Sequence, residues 1–257
     1  MKHVKKKYLM SNKLSDEVYE YLTKVETDKE ETQKLIRKDF RDYVPHFITD
    51  KKDYIQCFKY KKGNRTIFIP EPNPIVIYFS NAQSFLQSIE EKRNEIFKEL
   101  EEKDVGNMMN NFYVFFGFVS NYVTSLFNSL EAFINHQIPN DYKYERITKQ
   151  KTEIFNKEQI QRELQFEEKI KKVLPQIKTR SFHRHYAHKH DSIMQFKEFR
   201  DDIVHTKADQ NNTPNYYKNL FTKSLDFDYN KTIHTIRDYI NYYEENLIEK
   251  CDCGHDY

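Results

Sequence analysis

The run Phe199-Arg200-Asp201-Asp202-Ile203-Val204-His205-Thr206-Lys207 contains residue types that can cut RNA without a metal ion. An imidazole, ordinarily titrating near neutrality, can take the proton of a 2′-hydroxyl or return one to a leaving oxygen. A guanidinium can hold a phosphate through two parallel N–H groups and stabilise the charge of its transition state. Five residues along an ideal helix set Arg200 and His205 about 140° apart, so they meet only if His205 lies in a loosening last turn. The stop at Asn211-Asn212-Thr213-Pro214 permits that. The same residues also suit a structural role, with His205 favoured by the helix dipole and Arg200 paired with Asp201, Asp202 or another carboxylate. Glu131 is one such carboxylate, one step from Leu130 on an apolar stripe, where an unpaired charge is costly. It either pairs with Arg200, orients His205 or reaches solvent at the stripe's edge.

A second segment with chemical potential precedes the first. Between Lys178 and His190 stand Arg180, Arg184, Lys189 and four imidazoles, His183, His185, His188 and His190. Lys178, Arg180, Arg184 and Lys189, with Phe182 and Tyr186 between them, suit contact with a phosphate backbone and stacked bases. A solvated loop accounts for the same composition. The four histidines are also conceivable metal ligands, but zinc sites draw ligand pairs from separated elements, and no second pair stands out. The tail Cys251-Asp252-Cys253-Gly254-His255 carries ligand types without a partner pair, and reads as a frayed terminus. The expectation is therefore no metal and no cofactor.

The elements that must position these groups are mainly helical. Four glycines in 257 residues leave no place for a phosphate-binding loop, a dinucleotide fingerprint or a hydrolase nucleophile elbow. From Met108 to Ile138, Phe112, Phe115, Phe116, Val119, Val123, Leu126, Phe127, Leu130, Phe133 and Ile134 recur at three- and four-residue steps, ending before Pro139. Further helices are predicted over Ser15–Tyr43, about Ile75–Lys103, Ile160–Leu174 up to Pro175, Ser192–Thr206 and Asp228–Glu249. One hairpin is predicted, from Tyr54–Tyr60 and Arg65–Ile69 around Lys61-Lys62-Gly63-Asn64. The expected division is an N-terminal extension with the hairpin at about 53–70 in residues 1–105, a helical domain over 106–250 and a tail over 251–257.

Charge is unevenly spread. The net +2 of the whole chain resolves into +7 over Lys143–His190 and −5 over Asp191–Tyr257. The apolar stretch Phe112–Phe127 is broken by Ser120, Asn121, Thr124 and Ser125, too polar for a membrane span, and no signal peptide is evident. Three cysteines, two of them in the tail, suit a reducing cytoplasm.

Arg-Asp-Asp-Ile-Val-His resembles the Arg-x4–6-His signature of HEPN domains, with polar Asp201 following the arginine. Ser129–Asn135 resembles the core helix of the bacterial HEPN-like subgroup, Phe166–Pro175 its later Glu-Lys…Leu-Pro helix, and the Ile240-Asn241-Tyr242 helix its closing element. The resemblance spans about Asn111 to Lys250 and leaves residues 1–105 unexplained. It implies an antiparallel helical bundle that often forms a homodimer, with two Arg/His pairs in a shared cleft. It further implies a metal-independent endoribonuclease leaving a 2′,3′-cyclic phosphate, in a toxin–antitoxin or anti-phage setting. On this reading His205 moves protons, Arg200 clamps the phosphate and Asp201 orients one of them. Other members are inactive modules that bind RNA, nucleotide or a partner protein.

Overall fold

The computed structural model describes residues 3–9, 11–24, 30, 34, 45–209, 211 and 213–253. They form two compact units, one of residues 6–74 and one of residues 1–5 with 75–257. The division falls some thirty residues before the expected 105 because the helix Pro74–Glu101 belongs with the helical core. Its Ile75, Val76, Phe79, Ala82, Ile89 and Ile96 are buried there.

In the smaller unit, β1 (Ser11–Lys13) and β2 (His46–Ile48) both pair antiparallel with β3 (Asp53–Lys62), and β4 (Arg65–Pro70) pairs with β3 beyond them. Lys62 faces Arg65, so Gly63 and Asn64 make a two-residue turn. Gly63 adopts φ +60°, which a side chain would strain. The first helix, α1 (Asp16–Lys24), is capped by Ser15, whose Oγ accepts the Val18 N–H. The predicted continuation of this helix to Tyr43 lies almost entirely outside the described residues.

The larger unit is built around a helical pair, α2 (Pro74–Glu101) and α3 (Val105–His136). Pro74 opens α2, where its missing N–H costs nothing. Asp104 caps α3 by accepting the Asn107 N–H at 3.1 Å. Ten α3 side chains, from Phe115 to Ile134, are buried. A second hairpin follows, β5 (Tyr144–Ile147) and β6 (Thr152–Phe155), where the sequence reading expected only a polar segment. Tyr144 and Phe155 bury one face against Ile138, Ile160, Leu164 and Val173, while Ile147 and Ile154 remain exposed.

The predicted helix Ile160–Leu174 is broken into short turns. These are α4 (Lys157–Glu163), α5 (Phe166–Glu168), a π-helical turn (Lys169–Val173) and α6 (Leu174–Lys178). Pro175 does not stop the helix. It sits in the first turn of α6, where the wide π turn has already released its carbonyl partner. Next come α7 (Phe182–His185) and α8 (Ala187–Val204), which begins before and ends before the predicted Ser192–Thr206. An additional helix, α9 (Lys218–Asp226), precedes α10 (Tyr229–Tyr243). α10 stops six residues short of expectation, and Glu244 is extended. Both α8 and α10 pack on α3 through Phe196, Phe199, Ile236, Tyr239 and Ile240. No described helix is long and apolar enough to cross a membrane.

Phe133 is fully buried and meets Tyr239 and Tyr243 of α10. Phe133→Ala is expected to lower unfolding stability by about 3–5 kcal/mol in urea titration. A loss under about 1 kcal/mol would show that this contact does not carry the packing of α3 on α10.

Candidate functional site

Arg200 occupies the last turns of α8, on the side facing α3. Its guanidinium lies over the Phe127 ring at 4.2 Å, beside the Glu131 carboxylate at 3.5 Å, and Nη1 donates to Asp201 at 2.9 Å. Stacking on the ring and two carboxylates fix the plane of the group. Among the described residues that bond to Asp201 is the single hydrogen bond of its five N–H donors. Glu131 is therefore beside Arg200, half-buried on α3.

Asp201 connects this pair to a neighbouring cleft. Its carboxylate also binds Lys197 at 2.6 Å, and its carbonyl accepts the His205 N–H at 2.9 Å. Burial pushes the Asp201 carboxyl up, but Lys197 and Arg200 overcome this and hold it below the ordinary carboxylate range. His205 is the first residue past α8, exposed, with φ −110° and ψ 39°. With Asp201, Lys207, Tyr216, Tyr217 and Lys223 it lines an open cleft of about 560 Å³. Arg200 is not part of that lining. The loosened last turn exists, yet within one chain it does not bring the imidazole and the guanidinium into one cavity. Asp202 is held by Lys223 at 3.0 Å.

The basic segment wraps the opposite end of α8. Arg180 and Arg184 line a separate cleft of about 520 Å³ with Lys171, Lys172, His183 and His185. Arg180 donates to the Tyr243 carbonyl at 2.7 Å and stacks over Tyr242 at 5.0 Å. Lys189 is spent on Asp238 at 2.7 Å, and neither it nor Lys178 lines the cleft. The 18 residues of α8 put about 27 Å between the two ends. The expected substrate contacts are thus remote from His205.

The four histidines do not gather as a metal site. His183 bonds to the Ser181 hydroxyl, His185 to the Ser181 carbonyl and the Tyr242 hydroxyl, His190 is buried and His188 is exposed. Among the described residues the grouped ligand atoms are elsewhere, in His3, Cys251 and Cys253. His183 and His190 pack ring against ring at 5.6 Å, while His185 is taken up by Ser181 and Tyr242 and His188 is exposed.

Sequence reasoning missed Lys169 in the π turn. It is buried, donates to the Gln161 carbonyl at 2.6 Å, and burial pushes its pKa down while Glu131 partly offsets that. Tyr216 and Tyr217 were also overlooked, although paired aromatics beside the Asn211–Pro214 break were a readable signal. Comparison with protein-family models, curated proteins and solved structures gives no match.

Burial, then Lys171 and His183, push the His190 pKa down, against Asp191 and Glu167. Burial, Arg184 and Lys171 do the same to His183. The unfolded chain therefore binds more protons below about pH 6.5, and stability must fall as pH drops through that value. The slope is at most about 1.4 kcal/mol per pH unit per histidine. Thermal melts between pH 7.5 and 5.5 should show the fall, shallower in His190→Gln. An equal fall in that variant would remove His190 as a cause.

Proposed function

We propose that the chain is a HEPN-type endoribonuclease that cleaves RNA by metal-independent acid–base chemistry and leaves a 2′,3′-cyclic phosphate. The observation that carries this reading is Asp201, which bonds to Arg200 through its carboxylate and to the His205 backbone through its carbonyl. Through the last helical turn it links a fixed guanidinium to the backbone of a residue whose exposed imidazole lines an open cleft. In the reaction His205 takes the 2′-hydroxyl proton, O2′ attacks the phosphorus, and the 5′-oxygen leaves with a proton from a second acid. Arg200 bears the charge on the phosphoryl oxygens through N–H groups that Asp201 does not use. Tyr216 and Tyr217 offer faces for bases flanking the bond that breaks.

In a homodimer the second acid is the other copy's His205, and each Arg200 reaches the cleft of its mate. Val204, within the motif, is exposed and apolar, as suits a dimer contact. The basic cleft at the far end of α8 engages RNA upstream or downstream of the cut. At about 3.4 Å per nucleotide, 27 Å corresponds to about eight nucleotides. A cytoplasmic toxin or anti-phage role, with an antitoxin or defence partner, goes with this activity.

One observation favours a second reading, an inactive HEPN module that binds RNA, nucleotide or a partner. Arg200 is committed to Phe127, Glu131 and Asp201, and His205 opens into a different cavity. Incubation of the purified protein with mixed RNA in EDTA separates the two. The ribonuclease predicts cyclic-phosphate fragments, reduced at least about 100-fold in His205→Ala and Arg200→Ala. Intact RNA with tight binding would overturn it in favour of the silent module.

A further inference from the structure

The two ends of the described chain meet. Val4 pairs antiparallel with Lys250, the Lys5 N–H donates to the Glu249 carbonyl at 2.8 Å, and the Cys251 N–H donates to the His3 carbonyl at 3.0 Å. Lys5 and Glu249 add an ion pair, and Val4 is buried in the main core. This register sets His3 opposite Cys251, and directly opposed residues share a face. Cys253, two residues further on at a bend, comes back to the His3 ring. The consequence is a gathering of three ligand types from opposite ends of the sequence. One ring nitrogen of His3 and the two sulfurs lie within 4.8 Å of one another, and His3 Nε2 stands 3.1 Å from Cys253 Sγ.

We infer that His3, Cys251 and Cys253 form a binding site for a zinc ion that fastens the N-terminal segment to the C-terminal one. Two thiolates and an imidazole are the donors that zinc selects. Zinc–sulfur bonds of about 2.3 Å and a zinc–nitrogen bond of about 2.0 Å place tetrahedral ligands about 3.5 Å apart, within the observed spread. Burial grades from His3, inside, through Cys251 to exposed Cys253, so an ion enters from the solvent side. A fourth position is left for water. The Cys-x-Cys-x-His pattern of the tail has its partner in His3, 250 positions away, where no local spacing could announce it. Such a clip contributes its binding free energy to folding by closing nearly the whole chain. It is separate from RNA cleavage, which needs no metal in the reading above.

The test uses untagged full-length protein, purified under reducing conditions, stripped by chelator and titrated with zinc alone. About one zinc per chain is expected, with a higher melting temperature that chelator reverses. Cobalt in place of zinc should give thiolate-to-metal charge-transfer absorption in the near ultraviolet and intense visible bands of a tetrahedral site. Cys251→Ser, Cys253→Ser and His3→Gln should each lose the stoichiometric metal, while His183→Gln with His188→Gln should keep it. The cobalt spectrum is read on the unaltered chain, so it holds even where a serine variant folds poorly. Failure of the reduced protein to take up zinc, a cobalt spectrum without thiolate absorption, or full zinc content in both serine variants would each overturn the site.

Discussion

A carboxylate on the central helix sets the terms for its neighbours. Glu131 stands on α3 at the edge of its buried stripe, half-exposed, where a cation from another helix can pair with it. Arg200 of α8 supplies one at 3.5 Å, and the buried Lys169 of the π turn supplies a more distant field. Phe127, one turn before Glu131 on α3, gives the guanidinium a flat surface to lie on. The buried Ile193, Phe196 and Phe199 set the rotation of α8 about its own axis, and the ring and the carboxylate hold the arginine on that face. That rotation turns Asp201 to its bond with Arg200 and leaves His205 to emerge at the helix end. The irregular π turn has a physical reason in the same place, since it carries Lys169 inward to a carbonyl acceptor.

α8 has two working ends of different character. At its N-terminal end Arg184 and His185 of α7 stand beside Lys171 and Lys172, and just past its C-terminal end His205 lies among tyrosines and paired charges. The +7 of residues 143–190 is concentrated at the first end, although Lys189 and Arg180 are partly consumed by Asp238 and the Tyr243 carbonyl. In the proposed reaction the first end holds the polymer by charge, and the second selects the bond to break. This separation suits a long, single-stranded substrate better than a mononucleotide, which could not touch both.

How much of this was legible in the sequence depended on the range of the interaction. The α3 stripe was readable because ten buried positions repeat at helical steps, and Gly63 marked its hairpin because a two-residue turn needs its backbone. The β5–β6 hairpin was missed because each strand has four residues and only Tyr144 and Phe155 are buried, too few to show a period. The break at Leu164 and Gln165, both extended, was hidden because leucine and glutamine are individually good helix formers. Pro175 was misread as a stop because its effect depends on the turn before it. At the site, the cost of a lone charge made Arg200 one of the alternatives for Glu131, and the structure sets the two 3.5 Å apart. Their separation from His205 and the basic cleft did not follow, because it depends on which face α8 turns to α3. Of the four histidines only His183 and His190 are in ring contact, and His3 looked unrelated to the tail only along the chain.

The central claim is that this fold carries the chemistry of a 2′-hydroxyl nucleophile. The most direct measurement compares one RNA oligonucleotide with the same sequence bearing 2′-O-methyl groups throughout, each incubated with the purified protein in EDTA. The account predicts cleavage of the first and none of the second. Cleavage of both, or of neither, would contradict it.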